Sequence, residues 1–301
     1  MEKVGNVVLD DTWYDEKYEP KDTSVEENLL EYFSKDKEAI EILWQDDRWE
    51  MLYHVSPLRK NILDWYEFTP DVEVLEIGAE CGILTEILCE KVKRVTCIES
   101  SRKKSVVNAW RNQKFANLNI LVGPWNVVPV KKKYDYVLLI GGLEYIYCYI
   151  EDENAPAYFL NKIHEMLKDD GKLLLAVQNK FGLKYWAGHA EDHTGRYFDS
   201  MENYIFSQQK ETSFSKDELK KMLEKTGYSA AEFYYPFPDH KFAQQIFSEN
   251  YLPKEDDVIC SLDSFSYDRL QLFDETRVFQ NIIKEKKFDF FSNSFFVEAK
   301  K

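Results

Sequence analysis

Short apolar runs alternate with amphipathic segments through the middle of the chain. In the segments between the runs, apolar residues recur every three or four positions, which is typical of helices with one buried face. Apolar strands that alternate with such helices predict a parallel, doubly wound α/β sheet. The predicted strands of this region are 72–77, 95–98, 118–122, 134–140 and 173–177.

The segment before these strands has a helical pattern. Ser24 and Glu27 have the spacing of a capping box and precede apolar residues at helical spacing. We therefore expect an N-terminal helical extension over 1–55, followed by one main domain over 56–301.

The last third of the chain predicts two more strands and two insertions. Ser215 and Glu218 form a second capping-box pattern ahead of a helix. Strands are predicted at 230–235 and 295–297, which makes seven in all. The segments of about 178–212 and 236–293 are longer than ordinary connections, and connections of such length are usually functional.

Composition and charge restrict the possible partners. The chain has 301 residues, of which 44% are hydrophobic, so a sizeable core is expected. Its net charge of −15 disfavours a nucleic-acid partner. The chain shows no signal-peptide pattern, no apolar run long enough to cross a bilayer and no CxxC pair among five cysteines. We expect a cytoplasmic protein without stable membrane insertion.

The first predicted strand leads into a glycine-containing loop that could bind a ligand. The run 74–82 reads Val-Leu-Glu-Ile-Gly-Ala-Glu-Cys-Gly, and Glu99 follows the next strand. Gly78 and Gly82 permit a tight turn and a close approach of the backbone to a ligand. Because ligands of open parallel sheets bind at the carboxyl ends of the strands, Glu99 is placed to accept hydrogen bonds from ribose hydroxyls.

These motifs resemble those of the class I S-adenosylmethionine (SAM)-dependent methyltransferases. The resemblance covers about residues 53–235, with the motifs in the family's order. It implies a Rossmann-like, seven-stranded sheet with acceptor-binding insertions, and SAM as the cofactor. The residues it assigns to the cofactor are Glu76, Gly78, Ala79, Glu80, Gly82, Glu99, Ser100, Trp125, Asn126 and Gly141.

A narrower resemblance concerns the first insertion. The runs 179–186 and 191–195 are similar to bacterial methyltransferases that accompany cell-surface glycan enzymes. This resemblance implies a small-molecule or glycan acceptor.

The chain departs from the family pattern at several positions. Glu80 stands where the family usually has glycine, and Pro124 stands where many members bind adenine with an acidic residue. The pairs 141–142 and 178–179 lack the carboxylates that hold Mg²⁺ in catechol-type members, so we predict no metal. Arg59, ahead of the first strand, is either a partner of the SAM carboxylate or a solvated helix charge.

Three residues are candidates for the chemistry on the acceptor. His193 is the candidate general base, oriented by Asp192 or Glu191, and its alternative is a histidine that only satisfies the loop. Tyr145 follows the fourth strand, where this fold meets the acceptor, and it either bounds the site or packs. These residues favour methyl transfer to an oxygen.

Two other functions stay open. An NAD(P)-dependent oxidoreductase has the same fold class, but its GxGxxG motif is absent. A degenerate SAM-fold binding protein is supported by Glu80 and Pro124. The acceptor, the methylated atom and the oligomeric state are not determined by the sequence.

Overall fold

A computed structural model describes residues 1–35, 37, 39–206, 211–258, 260 and 269–301. Parts of both predicted insertions, at 207–210, 259 and 261–268, lie outside these described residues. The chain forms two compact units. The first comprises Met1–Ile140, Glu165–Leu173 and Lys301, and the second comprises Gly141–His164 and Leu174–Lys300. The predicted boundary at residue 55 stays a prediction.

The first unit contains a mostly parallel sheet flanked by helices. Its complete strands are β1 (Glu2–Val4), β2 (Val7–Asp10), β3 (Glu73–Ile77), β4 (Arg94–Glu99), β5 (Leu118–Val122) and β6 (Tyr134–Ile140). Its helices are α1 (Ser24–Ser34), α2 (Ala39–Gln45), α3 (Trp49–Val55), α4 (Asn61–Asp64), α5 (Ile83–Lys91) and α6 (Arg102–Arg111), with 3-10 turns at Glu16–Tyr18 and Pro57–Lys60.

The strands of the first unit lie in the order β1-β2-β5-β4-β3-β6. All neighbours except β1 and β2 are parallel. This is the strand order of a doubly wound sheet that reverses direction at β3, which puts the ligand-binding end at the loops after β3 and β4. The α/β prediction is confirmed.

The N-terminal segment differs from the helical prediction. Helices α1–α3 are present, but the hairpin β1–β2 precedes them, and β2 extends the sheet by pairing with β5. Val7 and Leu9 alternate with less buried residues and are fully buried, which is the pattern of a half-buried strand. The capping box predicted at Ser24 is wrong, because Thr23 is the N-cap and donates its hydroxyl to Glu27 Oε1 at 2.8 Å.

The N-terminal helices pack against the loop after β3 and against α6. Leu29, Ile42 and Met51 form one apolar cluster with Val55, Cys81 and Val107. Ile42 therefore faces the core, whereas Trp44 on the same helix is 84% exposed.

Glu19 makes a second attachment to α6. Its Oε1 accepts the Arg102 N–H at 2.7 Å, and its Oε2 accepts the Ser101 hydroxyl at 2.7 Å. A carboxylate at this position satisfies N–H groups that have no partner within the helix.

The second unit consists of antiparallel strands with the insertions packed around them. Its complete elements are the 3-10 turns Leu143–Cys148 and Glu255–Asp257, helices α8 (Leu183–Trp186), α9 (Lys216–Lys225), α10 (Glu275–Lys284) and α11 (Phe288–Phe291), and strands β8 (Ala230–Phe237), β9 (Gln245–Ser248) and β10 (Ser294–Lys300). Helix α7 (Ala155–Met166) and strand β7 (Leu167–Gln178) contribute residues to both units. The strand order is β7-β10-β8-β9, and β8 is antiparallel to both β10 and β9.

The described residues form ten strands instead of seven, because β1, β2 and β9 were not predicted. The capping box at Ser215 and Glu218 is confirmed, with both hydrogen bonds present. Helix α7 ends at Met166 and β7 begins at Leu167. Farther along β7, the Gly171 C=O accepts the N–H of Lys301 at 3.0 Å.

The aromatic residues of the second insertion form a core. The rings of Phe247 and Phe279 pack against Phe288 at centroid distances of 5.5 and 5.7 Å. Phe242 is also buried, whereas Tyr251 is 63% exposed. These buried rings explain the apolar content of 236–293 by packing. Among the described residues, every helix is too short or too polar to cross a membrane.

Candidate active site

The loop after β3 has the backbone geometry of a tight ligand-binding turn. Gly78 and Gly82 have φ of +75° and +80°, and Glu80 between them has φ of +47°. A Cβ added at Gly82 would collide with the side chains of Asn108 and Asn112, whereas one added at Gly78 would meet no atom within 4 Å. Gly82 is therefore needed for packing, and Gly78 borders open space.

Glu76, at the end of β3, is a buried acid. Its Oε2 accepts the Thr85 hydroxyl at 2.6 Å and the Cys97 thiol at 3.2 Å. Burial raises the pKa of Glu76 to about 7 despite these two donors. Glu76 is only 3% exposed, and it lines a recess that the loop after β3 helps to form. A ligand bound in that recess would therefore change the protonation of its carboxyl.

We predict that Glu76→Gln flattens the pH dependence of stability. The unfolded carboxyl ionises near pH 4.5 and the folded one near pH 7, so the folded state loses stability as pH rises through this window. The loss is about 3 kcal/mol. In denaturant unfolding between pH 4.5 and 8, the free energy of unfolding of the variant should rise relative to that of the wild type by about that amount.

The control for this prediction is Glu90→Gln, at an exposed position of the neighbouring helix. Its difference from the wild type should stay constant with pH. A constant difference for Glu76→Gln as well would contradict the raised pKa.

Glu99 ends β4 beside the same loop. Its Oε2 accepts the Glu80 N–H at 2.8 Å, and its Oε1 accepts the Ser101 N–H at 2.9 Å and the Ser100 hydroxyl at 3.3 Å. Oε2 accepts only one of these hydrogen bonds and has a further lone pair, so these bonds orient Glu99 without exhausting it. Burial raises the pKa of Glu99, and the charge of Lys104 and the two N–H donors offset part of this rise.

A narrow recess is lined by this loop. Its lining residues are His54, Arg59, Glu76, Ile77, Gly78, Ala79, Glu80, Cys81, Gly82, Ile83, Leu84, Leu138 and Ile140.

Two residues ahead of β3 contribute polar groups to this recess. Arg59 is 2% exposed, so the interpretation as a solvated helix charge is wrong. Its guanidinium lies 4.3 Å from the ring centroid of Tyr53 and donates to the Tyr53 hydroxyl at 3.0 Å. Burial lowers the pKa of His54 to about 3, so its imidazole is neutral at physiological pH.

Glu80 fits the loop despite replacing a glycine. Its carboxylate lies 3.6 Å from Lys104 Nζ, and its side chain is 38% exposed. The negative charge is therefore paired in the first unit.

The remaining predicted cofactor residues lie after β5 and β6. Trp125 is buried and Asn126 is exposed. Gly141, in the second unit, has φ of +73° and donates its N–H to Ala176 C=O at 2.9 Å. Contacts of these three residues with a cofactor stay predictions.

Glu144, in the second unit, is a buried carboxyl that the sequence did not select. It is 1% exposed, its Oε1 accepts the Gln178 N–H at 2.9 Å, and its C=O accepts the Thr212 N–H at 3.0 Å. Burial raises the pKa of Glu144, and the charge of nearby His193 opposes this. Its Oε2 is buried and has no hydrogen-bond partner within the part of the chain that the structure describes.

Three residues around Glu144 also have buried polar atoms without a partner. Counting only described residues, these atoms are His193 Nε2, Thr212 Oγ1 and both amide atoms of Gln178. The imidazole of His193 meets the ring of Tyr145 edge-on, with centroids 5.2 Å apart. We name Glu144, Gln178, His193 and Thr212 the Glu144 cluster. The structure thus brings the predicted residues His193 and Tyr145 together.

Asp192 is engaged in a buried ionic network. Its Oδ2 lies 2.7 Å from Lys184 Nζ and accepts the Tyr185 hydroxyl at 2.5 Å, while its Oδ1 lies 2.6 Å from Lys241 Nζ. Although burial acts in the opposite direction, the two lysines hold the pKa of Asp192 well below its usual range.

Glu191 stabilises the backbone around His193. Its Oε2 accepts the N–H groups of His193 and Thr194, both at 2.8 Å. Asp192 and Glu191 therefore fix the chain around His193, and these contacts give no support for either carboxylate orienting the imidazole directly.

Three members of the Glu144 cluster, Glu144, Gln178 and Thr212, were missed because they come from separate segments. The available signal was Gln178, a polar residue that ends an apolar strand. No group of three or more His, Cys, Asp or Glu side chains among the described residues has the geometry of a metal site. The absence of a metal stays a prediction.

Comparisons with known proteins give a consistent result. A family profile described as "Methyltransferase domain" matches residues 25–232. The chain is 24% identical over 171 residues to the ubiquinone biosynthesis O-methyltransferase of Pelagibacter ubique, covering 52% of this chain and 67% of that protein. It is 25% identical over 147 residues to an uncharacterized methyltransferase of Staphylococcus carnosus, covering 48% and 64%. The chain spans about two thirds of the length of these curated relatives.

A solved structure has a similar fold. The SAM-dependent methyltransferase of Thermotoga maritima, described as a "possible histamine N-methyltransferase", has a TM-score of 0.50 at 14% identity. The match covers 92% of this chain and 99% of that chain. It confirms the Rossmann-like fold predicted from the sequence.

Proposed function

Because the chain belongs to the family of methyltransferase domains, in which SAM is the methyl donor, we propose that it methylates a hydroxyl oxygen of a small-molecule or glycan acceptor. One observation supports oxygen as the methylated atom. His193 Nε2, near Glu144, is buried and has no hydrogen-bond partner among the described residues. The likeness of 179–186 and 191–195 to methyltransferases that accompany cell-surface glycan enzymes supports a glycan intermediate as one acceptor.

The residues of the first unit fit SAM chemically. Glu99 offers acceptor lone pairs for the ribose hydroxyls, and Gly78 leaves space for a ligand against the backbone. Glu76 and Arg59 line the same recess and complement the ammonium and carboxylate of an amino acid. When bound, SAM supplies an electrophilic methyl group attached to a positively charged sulfur.

The residues of the second unit act on the acceptor. A hydroxyl is a weak nucleophile until its proton is removed, so His193 Nε2 takes that proton as the bond to carbon forms. Glu144 stabilises the imidazolium that results, since opposite charges attract strongly in a buried site. Tyr145 limits the movement of the imidazole by packing against it.

The test is a methyl-transfer screen with labelled SAM against sugars, glycan intermediates and phenols, preceded by thermal shift. S-adenosylhomocysteine (SAH) should raise the melting temperature, and NAD⁺ should leave it unchanged. A ligand at 100 times its Kd adds about 2.7 kcal/mol to stability. Stabilisation by NAD⁺ alone would favour the oxidoreductase. Failure of both SAM and SAH to bind would favour a degenerate binding protein.

A further inference from the structure

The Glu144 cluster contains more recognition groups than removal of one proton requires. Glu144 and Gln178 are each 1% exposed. Within the described residues, Glu144 Oε2 and both amide atoms of Gln178 have no partner. A buried polar group without a hydrogen bond destabilises the folded protein. Three such atoms on two adjacent side chains point to a ligand that supplies the missing bonds.

Backbone hydrogen bonds hold the Glu144 carboxyl and the main chain of Gln178. The Gln178 N–H donates to Glu144 Oε1 at 2.9 Å, so the backbone at the end of β7 holds the carboxyl. The Thr212 N–H donates to the Glu144 carbonyl at 3.0 Å, and the Phe214 N–H donates to the Gln178 carbonyl at 3.4 Å. The Glu144 carboxyl is therefore preorganised for a partner, and the main chain that carries the Gln178 amide is fixed beside it.

The chemistry of the free atoms selects the type of ligand. A carboxylate or phosphate would be repelled by Glu144, and it has no hydrogen to donate to Glu144 Oε2. An ammonium group would leave the amide N–H donors of Gln178 without acceptors. A hydroxyl both donates and accepts, so it can pair two of the three atoms, by donating to Glu144 Oε2 and accepting from Gln178 Nε2.

We propose that Glu144 and Gln178 hold a second hydroxyl of the acceptor, next to the hydroxyl that is methylated, so that the preferred substrate class is a vicinal diol. This inference rests on the proposed O-methylation. The reacting hydroxyl gives its proton to His193 Nε2, its oxygen lone pair forms the bond to the methyl carbon, and the electrons of the breaking carbon–sulfur bond stay on sulfur. The second hydroxyl keeps its proton throughout.

The experiment compares acceptors that differ by one hydroxyl. The probes are catechol against phenol, and trans-1,2-cyclohexanediol against cyclohexanol, with kcat/KM measured by transfer from labelled SAM. Losing a hydrogen-bonded hydroxyl leaves the site's polar groups unpaired, so we expect at least about a tenfold preference for the diol in one or both pairs.

Two variants show whether the cluster causes this preference. Gln178→Met keeps the length of the side chain and removes both polar atoms, while Glu144→Gln keeps an acceptor and removes the charge. We expect Gln178→Met to lower the ratio of kcat/KM for the diol to kcat/KM for the mono-hydroxyl acceptor by about tenfold. The effect should be mainly on KM. Gln244→Met, at an exposed position of the same unit, is the matched control.

A binding measurement gives a readout that is independent of turnover. Calorimetry with SAH bound should show the Kd of catechol rising about tenfold in Gln178→Met, with the Kd of SAH itself unchanged. Equal kcat/KM for diols and their mono-hydroxyl partners would overturn the second-hydroxyl site and leave O-methylation standing. A diol preference that survives in both variants would also overturn it. SAH binding without transfer to any hydroxyl of the four probes would instead overturn the proposed function.

Discussion

Replacing His193 with alanine is expected to lower kcat by about 10²–10⁴-fold, the usual contribution of a positioned general base. The Kd of SAH should stay within about twofold, because His193 belongs to the Glu144 cluster of the second unit, which we assign to the acceptor. Single-turnover transfer from labelled SAM to the best acceptor of the screen measures the first quantity, and calorimetry measures the second.

Two controls separate proton removal from packing at His193. Tyr145→Phe keeps the edge-on ring contact, which has centroids 5.2 Å apart, and should retain kcat within about threefold. Added imidazole should restore part of the activity of His193→Ala. A near-normal kcat in His193→Ala would show that this histidine only stabilises its loop.

Glu99→Ala is expected to weaken SAM and SAH binding by more than about tenfold. Loss of a hydrogen bond to a charged group costs about 1.5–3 kcal/mol, which corresponds to about 10- to 150-fold in Kd. Because Glu99 also accepts the N–H groups of Glu80 and Ser101, the alanine variant additionally frees the glycine loop. Calorimetry with SAH is the direct measurement.

Glu99→Gln distinguishes ribose binding from loop support. Glutamine keeps one acceptor oxygen and its size, so it should bind SAH with an intermediate Kd while its melting temperature stays near that of the wild type. Glu90→Ala, at an exposed site on α5, should change neither quantity. Unchanged affinity in Glu99→Ala would remove Glu99 from the cofactor site.

The parts of the fold that the sequence predicted are those whose signal is local. Strands β5 and β6 agree with their predicted ranges, because each is a short segment in which apolar residues predominate. The hairpin β1–β2 was missed because its strands are three and four residues long and its partner β5 is more than a hundred residues away. The N-cap predicted at Ser24 lies one residue earlier, at Thr23, since Ser and Thr are adjacent there and either suits an N-cap, and no capping-box hydrogen bond is formed.

The same distinction applies to the candidate site. The geometry of the loop from Gly78 to Gly82 follows from consecutive residues, so the sequence indicated it. Asp192 was predicted to orient His193, but its partner Lys241 is 49 positions away along the chain, and the contacts of its carboxylate are with two lysines. Glu144 and Gln178 are 34 positions apart, and only burial shows that their polar atoms need partners.

The carboxylate of Glu19 has a practical consequence for protein engineering. It caps α6 at Ser101 and Arg102, immediately after the ribose-binding candidate Glu99. A truncation that removed the first twenty residues would therefore take away two strands of the sheet and also the cap of this helix. Cofactor affinity measured on such a shortened protein would mix a folding defect with a binding defect.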